Sequence, residues 1–155
     1  MAGPGPGSVA PEYRNPALTV DAVWIRNGRI LLVRRGRPPF LGKWALPGGF
    51  VEYRETVEAA VTRELAEETG LHARPVRLVG VYSGPDRDPR GPTTSVAFRM
   101  SGRGGKPHGA DDAAGAEWVP LELARDLAFD HDRIVHDARV QDRAARRARA
   151  RTGGH

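Results

Sequence analysis

The stretch from Gly48 to Leu71, GGFVEYRETVEAAVTRELAEETGL, leaves this chain few ways to fold. Its second half reads as one helix. Thr56 is an N-cap residue, Glu58 falls in the first turn, neither Gly nor Pro interrupts Val57 to Thr69, and Gly70 takes the C′ position. A helix over Thr56 to Thr69 makes about four turns. Glu64, Glu67 and Glu68 then share a face, because positions i, i+3 and i+4 are neighbours on a helix. Like charges so arranged destabilise an isolated helix by about 0.2–0.5 kcal/mol per pair. A divalent cation reverses that sign. Carboxylate oxygens on one rigid face suit Mg²⁺ or Mn²⁺, which keep several waters and accept phosphate oxygens as further ligands. The alternative is a solvated acidic face. Three neighbouring features weigh against it: Gly48-Gly49 permits a close backbone approach, Glu52 adds a carboxylate in the connecting loop, and Glu55 suits an ion pair with Arg63. The substrate this points to is phosphorylated.

Composition narrows the rest. The 155 residues include no cysteine, which excludes a disulfide framework and thiolate metal sites, and the five histidines are not clustered as zinc ligands. A metal would be held by oxygen. No uncharged apolar run is long enough to cross a bilayer, and the opening MAGPGPGSVAPEY lacks the apolar stretch of a signal peptide, so a soluble, cytoplasmic protein without a membrane partner is expected. The net charge of +5 invites a nucleic-acid reading. Position removes its basis for the folded body: Met1 to Asp137 holds 18 basic and 18 acidic residues, whereas Ala138 to His155 holds six arginines and Asp142. A role for that tail in binding an acidic partner stays open.

The chain divides into a Gly/Pro/Ala-rich N-terminus over residues 1–14, expected to be disordered, one domain over 15–143, and an arginine-rich tail over 144–155, also expected to be disordered. Leu18 to Arg26 and Arg29 to Arg35 predict two strands joined by Asn27-Gly28, a type I′ hairpin pair. Gly36 to Lys43 predicts a loop, and Trp44 to Leu46 a short strand. Further strands are predicted at Arg74 to Tyr82, Thr94 to Met100 and Ala116 to Val119, with a loop over Ser83 to Thr93. A last helix starts near Asp132, packing through Ile134, Val135, Ala138 and Val140. Strands and helices mixed without strict alternation point to an α/β fold, a mixed sheet covered by helices on both faces.

Taken whole, the segment from Gly49 resembles the Nudix box. Five residues separate Gly49 from Glu55, seven more precede Arg63-Glu64, and Leu65, Glu67-Glu68, Gly70 and Leu71 follow in register. The one common feature missing is a glycine where this chain has Arg54. The resemblance implies an α/β/α sandwich and Mg²⁺-dependent hydrolysis of a nucleoside diphosphate linked to another moiety. It further implies that Glu64, Glu67, Glu68 and the Gly49 carbonyl hold metal, that Glu55 and Arg63 form a structural pair, and that Glu52 joins Glu64 and Glu68 in the catalytic set. The general base stays open between the box and the loop acids Asp86, Asp88, Asp111, Asp112 and Glu117.

Outside the box, RRGRPPFLGKWALPGGFV and YSGPDRDPRG look like the ADP-ribose pyrophosphatase branch of that family. This implies ADP-ribose as substrate, AMP and ribose 5-phosphate as products, and a homodimer. Arg34, Arg35, Arg87 and Arg90 are candidate phosphate partners, and Phe40, Trp44 and Tyr82 are candidate stacking partners for the base. Two rival readings are hydrolysis of nucleoside triphosphates, oxidised ones included, and a ligand sensor without catalysis.

Overall fold

Alternation along one central strand sets up the layers. The structure, a computed structural model, describes residues 13–109 and 114–154. In strand β1 (Ala17–Val23) and the residue after it, Val20, Ala22 and Trp24 enter one core cluster, while Val23 enters the other. Strand β3 (Arg29–Arg34) repeats the pattern, with Leu31 on the first side and Ile30 and Leu32 on the second. A strand whose two faces are both apolar must be covered twice. Helix α1 (Val57–Thr69) covers the first side through Ala60, Val61 and Leu65, and helix α2 (His131–Thr152) covers the second through Ile134, Val135 and Ala138. The result is an α/β/α arrangement.

The remaining strands are β2 (Ile25–Arg26), β4 (Trp44–Ala45), β5 (Gly48–Phe50), β6 (Arg74–Tyr82), β7 (Thr93–Ser101) and β8 (Ala116–Pro120). One sheet has the order β5-β1-β7-β6, in which β1 is parallel to β7 and antiparallel to β5. In the other, β3 pairs with β2, β4 and β8. The register Val20↔Gly49 and Asp21↔Gly48 lays the glycine pair along β1, in front of α1.

Three expectations change. The strand expected over Leu18 to Arg26 is divided: β1 joins the first sheet, and only Ile25-Arg26 continues into the hairpin with β3. The turn itself follows its residues, since Asn27 and Gly28 have φ of 52° and 73°. Val140, expected to pack, is 45% exposed. The arginine-rich end is helical as far as Thr152, a continuation of α2, because alternating Ala and Arg are good helix formers and no breaker precedes Gly153. Of the N-terminus expected to be disordered, residues 1–12 lie outside the described residues, and Tyr13 and Arg14 have no regular structure.

Helix α1 begins and ends as its sequence requires. The Thr56 hydroxyl accepts from the Ala59 N–H at 3.1 Å, and Gly70 sits at φ 73° with its N–H donating to the Ala66 carbonyl. A Cβ at Gly70 would lie 2.5 Å from the His108 ring. Gly70→Ala is therefore expected to destabilise the protein by about 1–2 kcal/mol from left-handed backbone strain alone, read as a lowered urea midpoint at unchanged slope.

Candidate active site

Arg63 organises the acidic loop. Its Nε and Nη2 donate to the two Glu55 oxygens at 2.7 and 2.9 Å, a bidentate fork. Nη1 donates to Glu64 at 3.0 Å and Glu67 at 3.2 Å, Glu52 lies 3.7 Å away, and Nη2 also reaches the Phe50 carbonyl at 3.1 Å. The hydrogen bonds from Arg63, helped by the Glu52 N–H, pull the Glu55 carboxyl down to about 2. Arg63 is in turn raised above the usual guanidinium range, chiefly by Glu55. The loop carries Arg54 at φ 68°, where a glycine would be unstrained.

Next to this pair stands a wall of carboxylates whose charge is incompletely matched. Glu68 accepts from the Gly48 N–H at 3.2 Å, and its carboxyl is pushed up to about 8, first by desolvation, then by the neighbouring Glu64 and Asp21. Burial likewise raises Glu64, against the opposing pull of Arg63. Among the described residues no three carboxylates converge as they stand, because Glu64 and Glu67 turn to Arg63 while Glu68 turns to Gly48. The Gly49 backbone nevertheless closes on Glu64: a Cβ there would lie 2.6 Å from the carboxyl carbon. A backbone carbonyl and hard, partly desolvated carboxylates on one rigid wall fit a divalent cation.

Gly48, Gly49 and Glu68 open onto a cavity that Thr19, Asp21, Arg35, Phe50, Arg87, Asp88, Arg90, Phe129 and His131 also line. Arg87 forks onto Asp130 at 2.6 and 2.8 Å and also donates to Thr93. Arg90 forks onto Asp88, whose carboxyl it holds low against the effect of burial. Arg35 has no carboxylate partner among the described residues, where its side chain donates only to the Pro39 carbonyl, at 2.6 Å. Its guanidinium lies 5.0 Å from the Phe129 ring centre, and that of Arg90 lies 5.6 and 5.7 Å from Phe50 and Phe129. The floor is a buried polar chain. His131 Nε2 lies 3.3 Å from Asp21, Ser95 Oγ donates to the other Asp21 oxygen, and the Leu46 N–H donates to His131 Nδ1 at 3.0 Å.

Several expected substrate residues stand elsewhere. Arg34 stacks on Trp44, 4.1 Å from the ring, and donates to the Gly42 carbonyl; neither lines the cavity. Tyr82 faces α2 and donates to Asp137 at 2.7 Å. Phe40 packs edge-on against Phe129. Arg87 and Arg90 line the cavity, but each is engaged by an aspartate. Of the loop acids, Asp88 is buried and paired, Asp86 is exposed, Glu117 is exposed on β8, and Asp111 and Asp112 lie outside the described residues. Glu52 is exposed beside Arg63. Sequence reasoning missed Asp21, Ser95, Phe50, Phe129 and His131. One signal was present: a charge in the apolar run LTVDAVWI needs a buried partner.

The NUDIX domain model matches residues 15–138. The chain belongs to the Nudix family. It is 50% identical to the ADP-ribose pyrophosphatase of Methanocaldococcus jannaschii over 125 residues, 81% of this chain and 74% of that protein. To the putative 8-oxo-dGTP diphosphatase 2 of Mycobacterium tuberculosis it is 38% identical, over 68% of this chain and 82% of that one. Among solved structures, the NUDIX domain of Shewanella oneidensis NrtR complexed with ADP ribose superposes with a TM-score of 0.69 at 30% identity, covering 83% and 90% of the two chains.

Two outcomes test this Nudix site. Gly49→Ala should leave the thermal midpoint within a few degrees but displace the Glu64 carboxylate, lowering kcat by about a hundredfold, as expected for a misplacement near 1 Å. In a carboxyl NMR titration Glu55 should protonate near pH 2. Its folded pKa is depressed, so the stability it contributes is present above pH ~4.5 and is lost as pH falls towards 2. Arg63→Met should raise it towards the ordinary carboxylate range, with the Glu52 N–H still holding it partly down.

Proposed function

We propose that this Nudix protein hydrolyses ADP-ribose to AMP and ribose 5-phosphate. The observation that carries the reading is the cavity itself: one wall is Gly48, Gly49 and Glu68, and the same space holds Arg35, Arg90, Phe50 and Phe129. A diphosphate needs cationic charge at its bridge, and a nucleoside needs an aromatic or guanidinium face. Support also comes from the relative at 50% identity that is named for this activity, against 38% for the one named for oxidised dGTP.

Glu64, Glu67, Glu68 and the Gly49 carbonyl would hold Mg²⁺ or Mn²⁺. Such a cation neutralises pyrophosphate oxygens and lowers the pKa of an attacking water. Arg35 binds the distal phosphate or the ribose-phosphate oxygens, since among the described residues no carboxylate engages its guanidinium. Phe50 and Phe129, each beside the Arg90 guanidinium, present stacking faces to the base. A carboxylate oxygen of Glu64 or Glu68 takes the proton of the water. Supporting this, of the loop acids among the described residues Asp88 is held by Arg90, and Asp86 and Glu117 do not line the cavity. Water adds to one phosphorus, the bridging oxygen leaves with the other phosphate, and two monoesters result.

The purified chain with Mg²⁺ should convert ADP-ribose to AMP and ribose 5-phosphate, and a chelator should stop it. ADP-ribose should exceed NADH, UDP-sugars, diadenosine polyphosphates and oxidised dGTP in kcat/KM. Glu68→Gln should lower kcat by at least about a hundredfold, since a metal supplies several kcal/mol of charge stabilisation and each 1.36 kcal/mol is tenfold. Turnover of no panel member would sink the hydrolase reading, and preference for the oxidised nucleotide would move the substrate assignment.

A further inference from the structure

The reaction as drawn leaves one buried cluster under the cavity unused. Asp21, Ser95 and His131 come from β1, β7 and the first turn of α2, and all three are buried. Their hydrogen bonds run in one direction. The Leu46 N–H points at His131 Nδ1, so that nitrogen is an acceptor and carries no proton. The ring proton therefore sits on Nε2, facing Asp21 Oδ1, while the Ser95 hydroxyl serves Oδ2. Asp21 is left as an anion with two donors, and the imidazole as a neutral ring with one donor and one acceptor used. Such a ring is fixed in tautomer and orientation, as a carboxylate behind a histidine fixes it elsewhere.

What the fixed ring holds is the segment leading to Gly49. Leu46 is followed by Pro47, which has no N–H to offer, and the Pro47 carbonyl accepts from the Ala22 N–H at 2.8 Å. Gly48 and Gly49 then pair with Asp21 and Val20. Ahead of Leu46, the Trp44 carbonyl accepts from the Ala128 N–H at 2.8 Å, in the loop that delivers His131. The side-chain anchor between these backbone contacts is the Leu46–His131 bond.

We propose that His131 is a positioning residue for the metal-binding loop: by accepting the Leu46 N–H, in an orientation set by Asp21 and Ser95, it fixes the Gly49 carbonyl against the glutamate wall. This rests on the metal assignment made above. Breaking the anchor costs metal affinity and, with it, kcat.

Two amide variants divide the imidazole's functions. His131→Asn keeps an acceptor oxygen near the Nδ1 position and gives up the reach to Asp21. His131→Gln places its amide near the Nε2 position, keeps the donor to Asp21 and gives up the acceptor. Mn²⁺ titration followed by electron paramagnetic resonance, and hydrogen exchange of the Leu46 amide in the metal-free protein, read the result without catalysis. His131→Gln should weaken Mn²⁺ binding by about tenfold or more, the usual effect of losing a group that holds a metal ligand in place, and its Leu46 amide should exchange faster. His131→Asn, which keeps the acceptor but loses the contact that orients it, should lose less than His131→Gln in both. Wild-type exchange and Mn²⁺ affinity in folded His131→Gln would overturn the proposal, as would equal losses in both variants. If His131→Gln does not fold, Asp21→Asn carries the test, since it removes the charge that orients the ring: faster Leu46 exchange supports the anchor, and unchanged exchange overturns it. A wild-type protein that binds no Mn²⁺ would instead overturn the metal assignment, and the exchange measurement would still decide the anchor.

Discussion

One guanidinium makes the glutamate face of α1 tolerable. Arg63 touches Glu55, Glu64 and Glu67 directly and has Glu52 within 3.7 Å, so a helix that would otherwise repel itself gains a cation at the centre of its acidic side. The match is deliberately uneven in its effect. Glu55 receives both prongs of the fork and braces the loop as a carboxylate down to about pH 2, whereas Glu68 receives only the Gly48 N–H. The carboxyl left without a cation thus stands at the cavity end of the helix, where burial raises its pKa. A structure that neutralised all its carboxylates internally would have no electrostatic reason to take up a cation there.

Local features were legible in the sequence because their causes are local. A helix bounded by Thr56 and Gly70, an Asn-Gly turn and a spaced set of glutamates each depend on residues within one or two turns of one another. What escaped depends on pairing across the chain. Leu18 to Arg26 reads as one strand because nothing in its composition says that β7, some 70 residues on, will claim its first part. The Asp21–His131 contact spans a still larger separation, and no periodicity reports it. Arg34 and Arg35 show the same limit at close range. Arg34 ends β3 and Arg35 follows directly beyond it; successive side chains of an extended chain point to opposite sides, and which one enters a cavity is decided by register, not by residue type. The arginine-rich tail fails differently: its charge suggests disorder, yet helix propagation asks only for good helix formers and the absence of a breaker.

The cavity is therefore better described by its charge pairing than by its residue list. Arg87 is spent on Asp130, and Arg90 on Asp88, which leaves them stiff, with guanidinium planes set beside Phe50 and Phe129 in the case of Arg90. Preorganised forks lose little conformational entropy when a ligand arrives. Arg35 is different, since its pKa is lowered chiefly by burial and then by the adjacent Arg90, the condition of a cation awaiting an anion. Opposite in sign, Glu68 is raised by burial and by Glu64 and Asp21.

These two uncompensated groups belong to one cavity, and each explains why the other is not simply paired away. Were Arg35 to reach Glu68, both pKa values would relax and the space would close as an internal salt bridge. Its Nε is instead tied to the Pro39 carbonyl, which turns the guanidinium towards the loop, and Glu68 is tied back to Gly48. The backbone thereby holds apart a cation and a carboxyl that burial keeps largely protonated, at a cost in stability that neither recovers alone. A ligand that brings its own anionic bridge together with a divalent cation satisfies both at once, whereas either component by itself would relieve one group and leave the other exposed to the same field.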